Sequence, residues 1–153
     1  RVIEARNAFL MSSLLQEVTR SGTAAKAQAL LKRPDIYGKT GTTNDSMDAW
    51  FAGYQQEVVA VVWIGYDQPK KLGDRETGGG LALPVWIEYM GFALRGTAVA
   101  EVPVPEGVVN LNGEWYYDEY SGNSGVRELS PEDAKLPTAS EDEKKSILDL
   151  FKR

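Results

Sequence analysis

Apolar side chains recur every three or four residues along the first twenty positions of this chain, which is the period of a helix with one buried face. Charged and amide side chains fall mostly on the opposite side of the same stretch. Ser21 and Gly22 follow, and glycine is the usual residue just past a helix end. The pattern predicts an amphipathic helix over residues 2–20 that packs on a sheet, and a shorter helical segment within 23–31 that ends before Pro34.

Three runs rich in β-branched and aromatic residues come next, at 36–43, 48–54 and 58–66. The connections between them are short, whereas a parallel crossover needs about a dozen residues or more, so we expect antiparallel neighbours in one sheet. The third run is apolar at almost every position, which is typical of a strand covered by helices on both faces. Four large aromatic residues in this region are interpreted as core packing: Trp50, Phe51, Trp63 and Trp86.

The rest of the chain begins with a polar loop over 67–80 that ends in three glycines, followed by a predicted apolar helix over 81–94. Beyond residue 98 the pattern indicates an extended linker, a hairpin around Asn112-Gly113 and a short helix over 140–151 that opens with a capping box. The predicted fold class is α/β of the α+β type. It has a three-stranded antiparallel sheet portion flanked by helices over 1–98, and an acidic C-terminal appendage with a hairpin and a short helix over 99–153.

Cysteine and histidine are both absent from the 153 residues. Without cysteine the chain has no disulfide, no zinc–thiolate site and no cysteine nucleophile. Without histidine it has no Ser-His-Asp triad, no histidine base and no histidine metal ligand. Acid–base chemistry therefore rests on lysine, tyrosine or carboxylates, and neither a cofactor nor a metal is expected.

The net charge of −5 is spread unevenly, with +1 on residues 1–98 and −6 on 99–153. Nucleic-acid binding needs a clustered basic face, so this distribution argues against it. No apolar run approaches the roughly 20 residues of a membrane span. The chain starts without methionine in what reads as the opening turn of a helix. We therefore expect a fragment of a longer protein, which would meet a membrane only through an N-terminal anchor outside this chain.

The candidate chemistry centres on residues 37–43, where Lys39 stands between Gly38 and Gly41 and three threonines follow it. A glycine inside a strand often marks the close approach of a ligand or another backbone. An ammonium group holds a carboxylate or perturbs a nearby hydroxyl. An exposed strand edge also offers main-chain pairing to a bound peptide. The stretch therefore favours recognition of an extended peptide with a carboxylate. The alternative interpretation is that it is a solvent-exposed strand without a function.

A phosphate-binding loop is the competing interpretation, because Gly38-Lys39-Thr40 is the terminal tripeptide of that motif. The motif needs an earlier glycine where this chain has Arg33, and no apolar strand precedes it. The glycine and threonines after Lys39 would also start a helix poorly. The pattern therefore argues against nucleotide binding.

Four ordered blocks around this stretch resemble a known family. The blocks are Gly38-Lys39-Thr40-Gly41-Thr42-Thr43-Asn44-Asp45, Asp48-Ala49-Trp50-Phe51-Ala52-Gly53-Tyr54, Trp63-Ile64-Gly65-Tyr66-Asp67, and Gly79-Gly80 followed by Ala82, Pro84 and Trp86. Together, and with the Ser21-Gly22-Thr23-Ala24 step, residues 2–95 resemble the C-terminal half of the transpeptidase (penicillin-binding) domain of class A penicillin-binding proteins of the 1A type. One Lys-Thr-Gly is a weak signal, whereas four blocks at matching spacing are a strong one. The resemblance implies the C-terminal part of a serine β-lactamase/transpeptidase-like fold.

The resemblance also implies roles for the residues of the motif. Lys39 would be the catalytic lysine that tunes a hydroxyl network and attracts the carboxylate of a peptide or β-lactam. Thr40 and Thr42 would hydrogen-bond that carboxylate, and the Thr42 N–H would be one of two oxyanion-hole donors. Gly41 would leave room for the substrate backbone, and Thr43 is counted with these substrate-binding residues.

The chain departs from the family at the other two motifs, Ser-x-x-Lys and Ser-x-Asn. None of its nine lysines has a serine three residues before it, and the nearest imitation, over 23–26, begins with Thr23 and is given no role. The one formal Ser-x-Asn, at 121–123, follows the lysine motif and is interpreted as accidental. The nucleophile is therefore expected upstream, outside this chain.

The resulting hypothesis is a part of a bifunctional peptidoglycan synthase at the periplasmic face of the bacterial inner membrane. Its expected ligands are the peptidoglycan stem peptide and β-lactams, and its expected partner is the N-terminal remainder of the same protein. The isolated chain is expected to be inactive. The alternative hypothesis is a non-catalytic interaction module whose exposed strand edge pairs with a partner or a second copy.

Overall fold

The computed structural model describes residues 2–121, and the predicted helix over 140–151 lies outside them. Three helices and five strands make up the described part of the chain. They are α1 (Ala5–Arg20), α2 (Lys26–Leu31), β1 (Tyr37–Thr42), β2 (Ala49–Tyr54), β3 (Val59–Ile64), α3 (Leu83–Ala93), β4 (Val108–Leu111) and β5 (Glu114–Tyr117). Short 3-10 turns occupy Asn44–Ser46 and Asp118–Tyr120. Each element expected within this range is present, with ends shifted by a few residues.

The central sheet has the order β1-β2-β3, and both pairs are antiparallel. Lys39 lies opposite Ala52, and Gly41 lies opposite Trp50, which in turn faces Trp63 on β3. The predicted α+β class with a three-stranded antiparallel sheet is confirmed. Short turns between the strands account for this topology, because they leave no room for a parallel crossover.

The core lies between α3 and one face of the sheet. Trp86 and Phe51 are both fully buried, and their rings meet at 4.9 Å in an edge-on arrangement. The Trp86 indole N–H donates to the Ala60 carbonyl at 3.0 Å, which satisfies the buried polar atom. Ile36 and Met90 complete the contact. Burying each of these side chains contributes about 1.5–3 kcal/mol.

Among the described residues, the opposite face of the sheet is open over β3 and around Trp50, whereas Tyr37 on the same face is buried. Val59, Val61 and Trp63 of β3 are 76%, 57% and 43% exposed, and Trp50 is 41% exposed. The expectation that helices cover both faces of the third strand is therefore wrong for this part of the chain, as is core packing for Trp50 and Trp63. The reason is that α3 covers only the Ala60 and Val62 side of β3, which leaves the side chains that alternate with them exposed.

The predicted hairpin is confirmed as β4 and β5. Asn112 and Gly113 have φ values of 54° and 94°, the left-handed conformation that a tight two-residue hairpin turn requires. Trp115 meets Phe9 of α1 edge-on at 5.0 Å, so the hairpin packs against that helix. One compact unit extends to Asp118, and a second begins at Glu119. The proposed boundary between 1–98 and 99–153 stays a prediction.

A buried ion pair fixes the entrance to β1. The Arg33 guanidinium donates to both carboxylate oxygens of Asp35 at 2.7 Å. Asp35 also accepts from the Gln55 side chain and from the Ala100 N–H, each at 2.9 Å. Arg33 in turn donates to the Thr97 carbonyl at 3.0 Å. The network ties β1, the turn after β2 and the segment after α3 into one body.

Candidate active site

The backbone of the Lys39 strand alternates between its neighbour and an open edge. The Thr43 N–H donates to the Asp48 carbonyl at 3.1 Å, so Thr43 and Asp48 form a hydrogen-bonded pair. Antiparallel pairs alternate between bonded and non-bonded positions. The register therefore turns the N–H and C=O groups of Thr40 and Thr42 away from β2, toward the edge. The predicted oxyanion donor, the Thr42 N–H, lies on this side.

Lys39 places its ammonium at the same edge. The Nζ atom donates to the Thr40 carbonyl at 2.8 Å and reaches the Thr40 hydroxyl at 3.4 Å. Its side chain is exposed to solvent. A positive charge therefore stands within hydrogen-bond distance of a motif hydroxyl, as a carboxylate-holding site requires.

The hydroxyls of Thr40 and Thr42 line an open cleft of about 630 Å³. The opposite wall of the cleft comes from two segments, one after α1 and one before α3. Its residues are Gly22, Thr23, Ala25, Lys26, Thr77, Gly79 and Gly80. Thr23 meets Thr40 hydroxyl to hydroxyl at 3.0 Å, and the Gly78 N–H donates to the Thr42 hydroxyl at 3.0 Å.

The glycine-rich segment before α3 forms a turn of π-helix over Gly78–Ala82 that runs directly into the helix. Gly78 lies in close contact with the backbone of β1 and β2. A Cβ at this position would stand 2.5 Å from the Gly41 carbonyl oxygen and 2.3 Å from that of Trp50. Thr77 begins the turn, and its hydroxyl accepts from the Gly80 N–H at 3.1 Å. Glycine at 78 is therefore required for close backbone approach.

The turn after the motif is held by Asp48. Its N–H donates to the Thr43 hydroxyl at 2.7 Å, and its carboxylate accepts from the Trp63 indole N–H at 2.8 Å. Asp45 lies in the turn itself with a φ of 61°. Asp48 therefore orients the loop that follows the motif. Thr43 directs its hydroxyl into this turn, while Lys39, Thr40 and Thr42 converge on the edge.

Sequence patterns gave no role to Thr23 or to the 77–80 turn, and both contact the motif hydroxyls. The sequence places Thr23 only in the Ser21-Gly22-Thr23-Ala24 step and in the imitation of Ser-x-x-Lys over 23–26, and it predicts 67–80 as a polar loop. The three consecutive glycines at 78–80 were the one available signal, since such a run permits close backbone approach. The Thr23–Thr40 contact has no local signature, because 17 positions separate its partners.

The assembled edge presents an ammonium, two hydroxyls and outward-facing N–H groups, all of which favour an anionic or peptide ligand. Among residues 2–121, no group of three or more histidine, cysteine, aspartate or glutamate residues is arranged to hold a metal ion. In the same range, none of the helices has the length and apolar character needed to cross a membrane.

Curated relatives of this chain carry the name Penicillin-binding protein 1A. The Pseudomonas aeruginosa protein is 54% identical over 111 residues, which is 72% of this chain and 13% of that protein. The Neisseria flavescens protein is 46% identical over 149 residues, 92% of this chain and 18% of that protein. The chain therefore spans less than a fifth of the length of these relatives. No protein-family model matches it.

A solved structure shows the same fold. The crystal structure of Penicillin-Binding Protein 1A from Haemophilus influenzae superimposes with a TM-score of 0.72 at 32% sequence identity. The match covers 83% of this chain and 22% of that protein. The resemblance found from the motif blocks is thus confirmed independently by overall sequence and by fold. By both measures, this chain is homologous to a part of the penicillin-binding proteins 1A.

Proposed function

We propose that the protein to which this chain belongs is a bifunctional peptidoglycan synthase, a glycosyltransferase and D,D-transpeptidase of the bacterial cell envelope. A serine hydroxyl attacks a carbonyl of the donor stem peptide, the terminal D-alanine leaves, and an ester forms. An amine of a second stem peptide then attacks the ester, forms the cross-link and frees the serine. β-Lactams acylate the same serine when their ring amide opens.

The observation that carries this proposal is the convergence of three groups on the open edge of β1. Lys39 supplies a positive charge, and Thr40 and Thr42 supply hydroxyls for the carboxylate of the donor or drug. The outward-facing N–H of Thr42 is one of two oxyanion donors, a type of contact whose loss costs about 10²–10³ in rate. Gly41 carries no side chain between these groups, which leaves room for the peptide backbone.

The other half of the site belongs to the N-terminal remainder of the same protein. This chain supplies no Ser-x-x-Lys, and its one Ser-x-Asn follows the lysine motif. The open sheet face of Trp50, Val61 and Trp63 gives that remainder an apolar surface to cover. We place the assembled domain on the periplasmic side of the inner membrane, where its peptidoglycan substrate lies.

A fluorescent penicillin tests the proposal directly. The longer protein should carry the label through denaturing electrophoresis, and unlabelled penicillin added first should prevent this. The isolated 153-residue chain should stay unlabelled, because it lacks the nucleophile. Absence of label on the properly folded longer protein would refute transpeptidase chemistry. Label on the isolated chain would refute the proposal that the nucleophile lies in the N-terminal remainder.

The alternative function, a non-catalytic interaction module, is favoured by the same exposed apolar face and by the open edges of β1 and β3. Exposed strand edges are templates for pairing with another chain. Sedimentation velocity at several concentrations separates the two functions. Self-association of the longer protein through this face, together with failure of penicillin labelling, would favour the module.

A further inference from the structure

We propose that Thr23 is a positioning residue that holds the Thr40 hydroxyl as a hydrogen-bond donor toward the carboxylate of the ligand. The inference rests on the proposed function, since it concerns the same carboxylate subsite. It adds a residue from the segment between α1 and α2, outside all three catalytic motifs. The contact that carries it is the 3.0 Å approach of the Thr23 and Thr40 hydroxyl oxygens.

A threonine hydroxyl has one hydrogen to donate and two lone pairs that accept. At Thr40, Lys39 Nζ approaches one lone pair at 3.4 Å, and the Thr23 hydroxyl lies in position to donate to the other. When Thr23 donates, the acceptor sites of Thr40 are occupied and the Thr40 hydrogen is available to a ligand. A carboxylate needs such donors, because its oxygens only accept.

The Thr42 hydroxyl is also held by a donor, which here is a backbone N–H. Its hydroxyl oxygen accepts from the Gly78 N–H at 3.0 Å, which leaves the hydroxyl hydrogen of Thr42 free. A backbone N–H is always a donor, so the direction at Thr42 is set by the fold. At Thr40 the partner is another hydroxyl, which can donate or accept. A carboxylate that takes the Thr40 hydrogen leaves Thr23 as the donor of the pair, so this support depends on a hydroxyl at residue 23. Thr23 thus donates to the Thr40 hydroxyl as the Gly78 N–H donates to the Thr42 hydroxyl.

The cleft also explains why the effect is selective for a carboxylate. Thr23 and Thr40 line the same open space, and both side chains are accessible there. An anion that enters the cleft meets the Thr40 and Thr42 hydroxyls, and the Lys39 ammonium stands 3.4 Å from the first of them. A neutral ester gains less from each of these groups, because charge-assisted hydrogen bonds are about twice as strong as neutral ones.

The test measures acylation of the longer protein by benzylpenicillin and by its methyl ester, which keeps the reactive ring and masks the carboxylate. Thr23→Val keeps the shape of the side chain and removes the hydroxyl. It should slow acylation by the acid about 3- to 10-fold, the range expected for one hydrogen bond, and leave the ester rate within about twofold. Thr23→Ser, which restores a hydroxyl, should recover most of the acid rate.

Two controls make the outcome specific. Thr97→Val, a matched change away from the cleft, should alter neither rate. In a Thr40→Val background, Thr23→Val should have no further effect, because its action runs through Thr40. The proposal is overturned if acid and ester rates fall equally, if neither falls, or if Thr23→Val acts fully without the Thr40 hydroxyl. Failure of both penicillins to label the wild-type protein would instead overturn the proposed function.

Discussion

At the scale of single residues, Thr42 combines two contributions that are chemically separate. Its hydroxyl faces the cleft beside Gly79 and accepts from the Gly78 N–H, while its backbone N–H turns toward the open edge. A substitution removes the first group and keeps the second. The proposed carboxylate contact can therefore be tested without deleting the proposed oxyanion donor.

We expect Thr42→Val to slow acylation of the longer protein by carboxylate-bearing β-lactams about 10- to 100-fold. The estimate follows from the value of a hydrogen bond to a charged group, about 1.5–3 kcal/mol. Valine is β-branched and suits a strand, so the fold should persist although the Gly78 N–H loses its acceptor. Stopped-flow or quench-flow labelling gives the rate constant, with Thr97→Val as the control. An unchanged rate would remove the Thr42 hydroxyl from the carboxylate subsite.

At the scale of elements, the turn before α3 packs against β1, the strand that carries the Lys39 motif. The N–H of Gly78 reaches Thr42, and the absence of a side chain lets the turn meet the Gly41 and Trp50 backbones directly. The turn then continues into α3, whose Trp86 is fully buried in the core. The position of the candidate active-site edge is therefore coupled to the packing of α3.

Gly78→Ala should destabilise the chain by about 2 kcal/mol or more, because the new methyl group would stand 2.3 Å from the Trp50 carbonyl oxygen. It should also slow penicillin labelling of the longer protein, since the Thr42 hydroxyl loses its backbone donor. Urea denaturation and labelling report the two effects.

The matched control is Gly91→Ala in α3, where a Cβ meets only the Leu31 side chain at 3.5 Å. There, alanine should be neutral or should stabilise by up to about 1 kcal/mol, because glycine is a poor helix former. Equal stability of the Gly78 and Gly91 variants would show that the turn adapts to a side chain.

At the scale of the whole molecule, the Arg33–Asp35 network joins segments far apart in sequence. Burial by itself raises the pKa of Asp35. Hydrogen bonds from Arg33, the Ala100 N–H and Gln55, together with the charge of Arg33, outweigh it and hold the pKa at about 2. The usual value is 3.8. The side chain is only 1% exposed, so solvent screens this interaction little.

A lowered pKa means that the folded state binds this proton less readily than the unfolded state. The stabilisation of about 2 kcal/mol is therefore fully present above pH 4 to 5 and is lost as the pH falls toward 2. Asp35→Asn should lower the free energy of unfolding by about 3–5 kcal/mol at neutral pH, because Arg33 is left buried without its partner charge.

The difference in the free energy of unfolding between the wild type and Asp35→Asn should become smaller as the pH falls from 5 to 2. Denaturation curves at several pH values measure it. Glu17→Gln, in an exposed pair with Arg20, is the control and should cost less than about 1 kcal/mol. A difference that stays constant across this pH range would contradict the assigned ion pair.

The open face of the sheet gives a prediction about assembly. Val61→Lys should reduce self-association of the isolated chain with little loss of stability, because Val61 is already 57% exposed. In the longer protein the same change should be strongly destabilising, because there we propose that this face is buried and the lysine charge would be unpaired.

Val85→Lys provides the comparison, since Val85 is 50% exposed on α3, away from that face. It should have little effect in either form of the protein. Sedimentation velocity and thermal unfolding give the two readouts. Tolerance of Val61→Lys in the longer protein would show that its remainder does not cover the face.

The amino-acid sequence by itself determined the order of helices and strands, the antiparallel sheet and the Asn112-Gly113 hairpin. These follow from local periodicity, short connections and turn chemistry, which act over a few residues. It also indicated Lys39, Thr40 and Thr42, because a lysine between glycines on a strand has a recognisable local pattern. Apolar content alone could not say which face of β3 is covered, since that depends on whether a distant segment reaches it.

Only the tertiary structure decided which groups surround the motif. Thr23 and Gly78 meet Thr40 and Thr42 because α1 ends, and α3 starts, next to the motif strand. The Thr23 contact has no signature in nearby residues, and the glycine run at 78–80 indicates a close backbone approach without identifying its partner. The hydrogen-bond alternation of the folded sheet likewise set the outward direction of the Thr42 N–H. Residue identity fixed the available donors and acceptors, while long-range packing fixed where each one points.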